Sequence, residues 1–351
     1  MNQFEIESHP DFDNHEQVVV RETAGLTAII AVHNTRLGPA VGGCRMFPYP
    51  GLEDALTDVL RLSRGMTYKS ALAGLPLGGG KSVIVGHPKT GKSRELLLEM
   101  GEFIDSLEGR YVTAEDSGTS VADIAVMGER TRHVSGIADD RFGGDPSPVT
   151  AQGVFIGIRE AVAYRCQSDL QDIRVAIQGV GNVGYHLARL LVDAGARVTV
   201  ADISEENLQR ARQDLDVDVM DVQGILEAEV DVLAPCAMGG AINPVSVRGI
   251  RAGIIAGAAN NQLSTPDMGG VLLDRGILYA PDYVINAGGI IDVYYQQQAE
   301  TSEEKLDAHV SRIGGTLKRI FEASDLRRMP TNQVADELAE AIFSKGARAA
   351  A

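Results

Sequence analysis

The second half of the chain alternates short apolar runs with segments of helical apolar spacing. The elements that this pattern predicts are strands at 174–178, 197–201, 230–234, 253–256 and 277–280 and helices at 183–194 and 205–214. Strands that alternate with helices pair in parallel, because each helical crossover returns the chain to the same end of the sheet. The pattern therefore predicts a doubly wound α/β domain.

The first half of the chain carries a separate α/β pattern. Its predicted elements are strands at 26–33, 82–85 and 110–112 and helices at 52–66 and 95–107. A turn-rich linker, GGDPSP at 143–148, leads into a helix predicted over 150–164. A polar stretch at 327–332 precedes a last helical segment at 334–345. Both breaks are typical of boundaries between structural units.

These breaks predict two domains. The first comprises residues 1–148, with a C-terminal helical segment of about 328–351 packing back on it, and the second comprises residues 149–327. Two such domains leave a cleft between them, which is where binding or catalytic groups would be expected.

A glycine-rich loop follows the predicted strand at 174–178. Gly179, Gly181 and Gly184 form a G-x-G-x-x-G pattern, which permits a tight turn, close approach of a pyrophosphate and close helix–strand packing. Asp202 ends the next predicted strand, where a carboxylate accepts hydrogen bonds from ribose hydroxyls and repels a 2′-phosphate. The alternative is a glycine-rich turn without a ligand. The order strand, loop, helix, strand and acid favours a Rossmann-type domain that binds NAD rather than NADP.

Charge and cysteine content exclude several classes of protein. The 351 residues carry a formal net charge of −16, which repels nucleic acid and anionic membranes. Cys44, Cys166 and Cys236 form no C-x-x-C pair, and no metal or flavin motif is evident. The first residues lack the apolar segment of a signal peptide, and no apolar run reaches the ~18 residues of a membrane span. We therefore expect a cytoplasmic protein without a metal, a membrane or a nucleic-acid partner.

Two lysines and one acid in the first half are candidates for catalysis. Lys69 and Lys81 lie twelve residues apart, and three glycines before Lys81 would let a substrate lie against the backbone. Taken alone, the segment of Lys81 favours a solvated lysine in a flexible turn, and Asp116 alone is more often a helix cap or turn residue. Together with a nicotinamide site, the three groups predict dehydrogenation of a substrate that carries a carboxylate.

Seven segments resemble one known family in consistent order. They are LGPAVGG at 37–43, GMTYK at 65–69, GGGK at 78–81, TAED at 113–116, PCA at 235–237, GAANNQL at 257–263 and APDYVINAGG at 280–289. From about residue 15 to 345 the chain is similar to the glutamate/leucine/phenylalanine/valine dehydrogenases, and nearest to their leucine branch. The resemblance implies reversible NAD-dependent oxidative deamination of an L-amino acid to its 2-oxo acid and ammonia.

The resemblance also implies roles on the substrate side. Lys69 would hold the substrate carboxylate, with help from the backbone of Gly42 and Gly43. Lys81 would polarise the carbonyl or carbinolamine oxygen and position water, and Asp116 would act as the general acid/base. The remaining substrate contacts would be Asn261 at the carboxylate or backbone end and, around the side chain, Val41, Ala114, Ile290 and Val293.

On the coenzyme side, the resemblance implies a site in the second domain, and a first domain that mediates homo-oligomer formation. The residues that would line the NAD site are Thr150, Gly179, Val180, Gly181, Asn182, Val183, Gly184, Asp202, Ala237, Ala258 and Asn260. Asn260 would lie on the nicotinamide side.

The preferred amino acid is less closely defined. The implied side-chain walls are all uncharged, so glutamate would lack a partner for its second carboxylate. The TAED segment favours leucine, with valine and isoleucine as further substrates, whereas PCAMGG at 235–240 resembles phenylalanine dehydrogenases about as well. Residues 294–298, YYQQQ, depart from the family pattern close to the implied pocket. Branched-chain specificity is the first expectation, and an aromatic substrate is the alternative.

Two other classes of function remain as alternatives. GHPKTGKS at 86–93 matches the G-x-x-x-x-G-K-[ST] pattern of a P-loop, and its Lys92 would then bind the phosphates of a nucleoside triphosphate. Pro88 removes a backbone N–H from that loop, which disfavours a triphosphatase. A non-catalytic NAD-binding protein would keep the glycine loop but would not need the two lysines and the acid.

Overall fold

The computed structural model describes residues 3–136, 145–237, 239–298 and 302–346. They divide into two compact units. The first unit takes the described residues up to 136 together with 296–298 and 339–346, and the second takes the rest. Residues 143 and 144 of the predicted linker lie outside the described residues. The domain boundaries that the sequence predicts at 148/149 and 327/328 stay predictions.

The first unit is built on a mixed sheet of five strands. Its elements are α1 (Gln3–Glu7), β1 (Gln17–Glu22), β2 (Thr27–Asn34), β3 (Ala40–Phe47), α2 (Leu52–Leu72), β4 (Gly78–Val85), α3 (Arg94–Asp105), β5 (Tyr111–Glu115) and α4 (Val121–Met127). The strand order is β1-β2-β4-β3-β5. β2 pairs antiparallel with β1 and β4, and β3 pairs parallel with β4 and β5. The α/β prediction for this half is confirmed, with two strands, β1 and β3, that the apolar pattern does not predict.

Helices cover both faces of this sheet. Val83 of β4 packs with Leu56 of α2 on one face, and Ile84 of β4 packs with Phe103 of α3 on the other. Successive strand residues point to opposite faces, so each strand contributes alternate side chains to the two cores.

β4 begins at Gly78, four residues earlier than the apolar pattern predicts. Its three glycines lie in the strand and not in a turn, because the segment is paired on both sides: Gly79 lies opposite Asn34 of β2 and opposite Val41 of β3. Pairing with two neighbours overrides the low strand propensity of glycine. Lys81 is therefore held on a central strand.

The second unit is built on a parallel sheet of six strands. Its strands are β6 (Arg174–Gln178), β7 (Arg197–Ala201), β8 (Val217–Val219), β9 (Val232–Pro235), β10 (Ile254–Ile255) and β11 (Leu278–Tyr279). Its helices are α5 (Ser147–Cys166), α6 (Asn182–Asp193), α7 (Glu205–Asp214), α8 (Met268–Asp274), α9 (Asp282–Ile285), α10 (Gly288–Gln296), α11 (Glu303–Val310) and α12 (Arg312–Arg327), followed by α13 (Thr331–Phe343), which continues into the first unit. The strand order β11-β10-β9-β6-β7-β8 is that of a Rossmann-type doubly wound sheet. The predicted fold class is confirmed.

The polar break predicted at 327–332 corresponds to the junction of two helices. α12 ends at Arg327, Arg328 adopts a left-handed conformation with φ of 50°, and α13 begins at Thr331. Among the described residues, no helix is both long enough and apolar enough to cross a membrane.

Candidate active site

The site residues predicted from the sequence fall into two sets, one in each unit. The first unit contains Val41, Gly42, Gly43, Lys69, Lys81, Ala114 and Asp116. The second contains Thr150, Gly179, Val180, Gly181, Asn182, Val183, Gly184, Asp202, Ala237, Ala258, Asn260, Asn261, Ile290 and Val293.

Lys81 and Asp116 form an ion pair in the first unit. Lys81 lies in β4, and Asp116 directly follows Glu115, the last residue of β5. Lys81 Nζ is 2.8 Å from Asp116 Oδ2, and the two side chains are 8% and 19% exposed. The pair brings a proton donor and a proton acceptor together in a largely buried position, which proton transfer to and from a substrate requires.

The alternation of side chains places this pair on the face of the sheet that α2 covers. Lys81 is two residues from Val83, which packs against α2, so both side chains point to that face. On β3, Met46 packs on the opposite face. The β3 residues that share the face of Lys81 are therefore Val41, Gly43 and Arg45.

Gly43 and Ala114 are paired in register between β3 and β5. Tyr111 packs on the α3 face, so Ala114, three residues later, points to the α2 face. A Cβ on Gly43 would lie 2.5 Å from Glu115 O and 2.7 Å from Asp116 Cβ. Glycine at position 43 therefore lets Asp116 approach β3, a structural requirement separate from the predicted role of the glycine backbone in substrate binding.

Arg45 is a candidate site residue that the sequence analysis does not identify. Its Nε donates to Asp116 Oδ2 at 3.1 Å, and its Nη1 donates to Asp58 Oδ2 at 2.9 Å. Tyr49 Oη donates to the same Asp58 oxygen at 2.5 Å. The available signal was a charged residue at an inward-facing strand position, two residues after Gly43, but it depends on knowing that β3 is a strand.

The charges around Asp116 keep it ionised. Burial raises the pKa of Asp116, but the charges of Lys81 and then Arg45 outweigh burial and lower the pKa from 3.8 to about 2. An ionised carboxylate accepts a proton before it can return one. Asp116 would therefore begin a reaction cycle as a base.

Lys69 lies in the last turn of α2 and is half-buried. Met66, one turn earlier, faces β3: a Cβ on Gly42 would lie 3.4 Å from Met66 Cγ. Residues three apart share one side of a helix, so Lys69 lies on the side of α2 that faces the two glycines. This position is compatible with the predicted binding of a substrate carboxylate.

The glycine-rich loop of the second unit lies where the strand order reverses, between β6 and β9. Gly179 has a φ of 95°, and a Cβ there would lie 2.8 Å from the Cβ of Ala237, which follows β9. A Cβ on Gly184 would lie 2.0 Å from Gly179 O, so α6 packs closely against the loop. A Cβ on Gly181 would meet no described atom within 4 Å. The first helical residues are Asn182 and Val183. An open glycine at a helix N-terminus fits the pyrophosphate of a dinucleotide.

Asp202 closes the loop from the end of β7. Its Oδ2 accepts hydrogen bonds from Val180 N–H at 2.8 Å and from Asn207 Nδ2 at 3.2 Å, and its Oδ1 accepts one from Ser204 N–H at 2.8 Å. A carboxylate has about four acceptor positions, so one remains for a ribose hydroxyl. The remaining negative charge disfavours a 2′-phosphate at this position.

A hydrogen-bonded turn carries Asn260 and Asn261, both exposed. Asn261 adopts a left-handed conformation with φ of 53°. Gln262 is fully buried and donates to two backbone carbonyls of the turn at 2.7 and 3.1 Å, while Asp282 accepts its backbone N–H at 2.9 Å. Asn286 Nδ2 donates to Asn260 Oδ1 at 2.8 Å and to the backbone carbonyl of Ala258 at 3.0 Å. Gln262, Asp282 and Asn286 hold the turn in place, and they are not among the site residues predicted from the sequence.

The beginnings of α5 and α10 lie next to each other. Thr150, in the first turn of α5, donates its hydroxyl to a backbone carbonyl at 2.9 Å, and a Cβ on Gly289 would lie 2.7 Å from the same hydroxyl oxygen. Ile290 and Val293 lie one turn apart on α10, the first buried and the second half-buried. Both can therefore contribute apolar surface on one side of that helix.

The P-loop-like segment at 86–93 connects β4 to α3. Gly91 N–H donates to the backbone carbonyl of His87 at 2.7 Å, and Lys92 Nζ lies 2.6 Å from Asp123 Oδ2. In a P-loop, backbone N–H groups and the lysine are directed at phosphates. Here both are engaged within the protein, and the geometry gives the triphosphatase alternative no support.

Two family models together match most of the chain. Residues 15–133 match "Glu/Leu/Phe/Val dehydrogenase, dimerisation domain", and residues 145–205 and 199–327 match "Glutamate/Leucine/Phenylalanine/Valine dehydrogenase". The chain belongs to the Glu/Leu/Phe/Val dehydrogenase family. It is an amino acid dehydrogenase, an oxidoreductase that acts on CH–NH₂ donors, in a family that uses NAD(P). The family resemblance predicted from the sequence is confirmed.

Relatives within the family differ in their substrates. The chain is 45% identical to the leucine dehydrogenase of Bacillus subtilis over 93% of this chain and 91% of that protein. It is 44% identical to the valine dehydrogenase of Streptomyces virginiae over 96% of both chains. The crystal structure of L-tryptophan dehydrogenase from Nostoc punctiforme matches with a TM-score of 0.81 and 41% identity, over 95% of this chain and 96% of that one. Similarity alone therefore does not select one amino acid.

Proposed function

We propose that the protein catalyses the reversible NAD-dependent oxidative deamination of a branched-chain L-amino acid. Leucine is the first-choice substrate, and valine and isoleucine are further substrates. The observation that carries the proposal is the Lys81–Asp116 ion pair at 2.8 Å, because it supplies the acid and base that deamination needs. The products are the 2-oxo acid, ammonia and the reduced coenzyme.

In this proposal each charged group of the first unit has one task. Bound NAD would supply the acceptor for the hydride that leaves the substrate Cα. Lys69 binds the substrate carboxylate, and Asp116 accepts a proton from the substrate ammonium before the hydride leaves. Lys81 orients water for addition to the resulting iminium carbon and polarises the new oxygen, and one proton of that water goes to solvent as the C–O bond forms. Asp116 then passes its proton to the nitrogen, which departs as ammonia, and the hydroxyl proton goes to solvent as the C=O bond forms.

The coenzyme proposal rests on the loop and on Asp202. The open side at Gly181 and the N-terminus of α6 suit a pyrophosphate, and Asp202 retains an acceptor position for a ribose hydroxyl. These features support NAD over NADP. We further propose that Thr150, Val183, Ala237, Ala258 and Asn260 contact the coenzyme.

The proposed side-chain walls in the first unit are small and apolar. Val41 is 4% exposed and Ala114 is half-buried. Arg45, on the same face, is already bound by Asp116 and Asp58, so the second carboxylate of glutamate would have to compete for it. One methylene changes transition-state binding by only about 1–3 kcal/mol, so overlapping activity on leucine, valine and isoleucine is expected. The side-chain contacts proposed for Ile290 and Val293 follow from the family resemblance, as does the carboxylate contact proposed for Asn261.

An aromatic L-amino acid is the second candidate substrate. One observation favours it: the L-tryptophan dehydrogenase structure matches 95% of this chain at 41% identity. The two candidates share the same catalytic groups and differ only in the side-chain pocket.

The experiment that separates the candidates is a substrate panel at alkaline pH. NADH formation at 340 nm would be followed for leucine, valine, isoleucine, phenylalanine, tryptophan and glutamate, each with NAD and with NADP. We expect the highest kcat/KM with leucine and NAD, and valine and isoleucine within about 200-fold of it, which is the range that one methylene gives. If an aromatic amino acid had the highest kcat/KM, that result would contradict the branched-chain assignment. The proposed mechanism would be unchanged. No turnover of any member would contradict the proposed function.

Replacement of Asp202 by alanine is expected to change the coenzyme preference. Removal of the carboxylate removes the ribose acceptor and the repulsion of a 2′-phosphate. The ratio of kcat/KM with NADP to that with NAD should rise by ~10-fold or more, a change of about 1.4 kcal/mol. Because Asp202 also accepts Val180 N–H at 2.8 Å, the KM for NAD should rise as well.

Asp218→Asn is the matched control for this variant. Asp218 is exposed on β8, the strand next to β7, so its replacement removes one negative charge without touching the loop. The NADP to NAD ratio of the control should stay at the wild-type value. An equal rise in both variants would show that overall charge, not the position of Asp202, determines the preference.

We also propose that the protein is a homo-oligomer, because residues 15–133 match the dimerisation domain of the family. The unusual segment at 294–298 is divided between the two units. Tyr295 packs edge-on against His309 in the second unit, with ring centroids 5.6 Å apart, while Gln297 donates its amide to Ser135 in the first. We propose a structural role for these glutamines and tyrosines rather than a substrate contact.

A further inference from the structure

Arg210 contacts the backbone carbonyls of the glycine-rich loop, and it is not among the coenzyme residues predicted from the sequence. It lies in α7, eight residues after Asp202. Its Nη2 donates to the backbone carbonyl of Val180 at 3.2 Å and lies 3.5 Å from that of Gly181. One side chain therefore contacts the two consecutive carbonyls at the open side of the loop.

The geometry of the peptide bond gives these contacts a consequence. In a trans peptide the C=O and the following N–H point in opposite directions, and the described chain contains no cis peptide. The Val180 carbonyl points towards Arg210 and therefore directs the Gly181 N–H away from it. The Gly181 carbonyl, which also accepts the Tyr185 N–H of α6 at 3.0 Å, likewise directs the Asn182 N–H away from Arg210. Neither N–H has an acceptor among the described residues. These are the donors that a pyrophosphate at the helix N-terminus would use.

The side chain of Arg210 is itself held in place. Its guanidinium lies over the ring of Tyr185, 4.1 Å from the centroid. Tyr185 Oη donates to Asp214 at 2.7 Å and accepts a hydrogen bond from Arg189 at 2.8 Å, so the ring cannot turn away. Within the described part of the chain, Arg210 has no carboxylate partner. Its charge is thus directed at the loop and not neutralised elsewhere.

We propose that Arg210 is a positioning residue, which fixes the peptide planes of the glycine-rich loop so that the Gly181 and Asn182 N–H groups face the coenzyme pyrophosphate. This inference rests on the proposed function, because it requires a dinucleotide at the loop. Arg210 and Asp202 hold the loop from two directions: Asp202 accepts the Val180 N–H, and Arg210 binds the Val180 carbonyl. The loop is therefore arranged for the anion before the anion binds.

The test compares ligands that contain the pyrophosphate with one that does not. The Kd of NADH would be measured by its fluorescence on the oligomeric protein, and ADP-ribose and adenosine would be measured as competitors. The variants are Arg210→Ala, Arg210→Lys and, as the matched control, Arg212→Ala. Arg212 lies two residues further along α7, is exposed and pairs with Glu205 at 2.9 Å, and it has no hydrogen bond or ion pair to the loop among the described residues. Arg212→Ala thus removes one positive charge from the same helix and leaves the carbonyls and Tyr185 untouched.

We expect Arg210→Ala to weaken NADH and ADP-ribose binding by the same factor, ~10-fold or more, with adenosine unchanged. Arg210→Lys keeps the charge but replaces a planar fork by a single ammonium, and it should recover only part of that loss. Arg212→Ala should bind all three ligands as the wild type does.

Three results would overturn the inference. Wild-type affinities in Arg210→Ala would show that the loop is fixed without it. Equal weakening of adenosine and ADP-ribose would indicate a general structural role. Full recovery in Arg210→Lys would indicate that charge alone matters. Failure of the wild type to bind NADH would be a different result, because it would overturn the proposed function and this inference together.

Discussion

Lys81→Met is expected to lower kcat for the preferred amino acid by about 100- to 10,000-fold, the usual contribution of a positioned acid–base group. Methionine has a similar length and suits a side chain that is only 8% exposed. In this variant Asp116 still contacts Arg45 at 3.1 Å, so the negative charge of Asp116 retains a partner and the fold should persist. KM for the amino acid should change less, because the substrate carboxylate is proposed to bind Lys69. Steady-state NADH formation gives both constants.

Lys92→Met is the matched control for this variant. Lys92 is also in an ion pair in the first unit, 2.6 Å from Asp123, so its replacement removes an equivalent charge pair at another position. Its kcat should stay within about twofold of the wild-type value, since neither Lys92 nor Asp123 is proposed to contact the substrate or the coenzyme. If Lys81→Met keeps more than a tenth of wild-type kcat, Lys81 is not the group that polarises the substrate oxygen.

The fold of the second unit could be predicted because its strands are short, apolar and separated by amphipathic helices. β3 of the first unit could not. Its sequence, AVGGCRMF, contains two glycines that give no apolar signal and a charged Arg45 at an inward-facing position. All but Arg45 and Phe47 are buried, yet the alternation that marks a strand is hidden. β4 was predicted only in part for the same reason, since pairing on both sides extends it through three glycines.

In the candidate site, local motifs predict which residues are present, but not which of them come into contact. Lys81, Asp116, Asp202 and the glycine loop could be proposed from motifs, because each motif is local. The contact between Arg45 and Asp116 joins residues 71 positions apart and exists only through the pairing of β3 with β5. No local pattern encodes that register. Substrate choice is harder still, because it depends on differences of a methylene or a ring and not on which functional groups are present.

Asp116→Asn is expected to lower both activity and stability. An amide neither accepts the proton of the substrate ammonium nor returns it, so kcat should fall by about 100- to 10,000-fold. Lys81 and Arg45, which now contact the carboxylate at 2.8 and 3.1 Å, would face each other without an anion. Loss of one partner from a buried charge network costs roughly 3 kcal/mol of unfolding free energy. Kinetics and thermal melts of the same preparation measure the two effects.

The stability difference between wild type and Asp116→Asn should depend on pH. Burial raises the pKa of Asp116, but Lys81 and Arg45 lower it to about 2, whereas an unfolded aspartate has a pKa of about 3.9. The stabilisation is therefore complete above about pH 4 to 5 and is lost as the pH falls towards 2. Melting temperatures of the two proteins should differ most above about pH 5 and converge as the pH falls towards 2.

Asp58→Asn separates the catalytic carboxylate from the rest of its network. It changes the other carboxylate bound to Arg45, at 2.9 Å, and leaves the Lys81–Asp116 pair intact. We expect its kcat to fall by less than about tenfold, since Asp58 acts on the substrate only through Arg45. A fall as large as that of Asp116→Asn would mean that the orientation of Arg45, and not proton transfer by Asp116, limits turnover.

The pH prediction for Asp116→Asn has its own contradicting result. A stability difference from wild type that does not change with pH would show that Asp116 is not paired as an ionised carboxylate with Lys81 and Arg45.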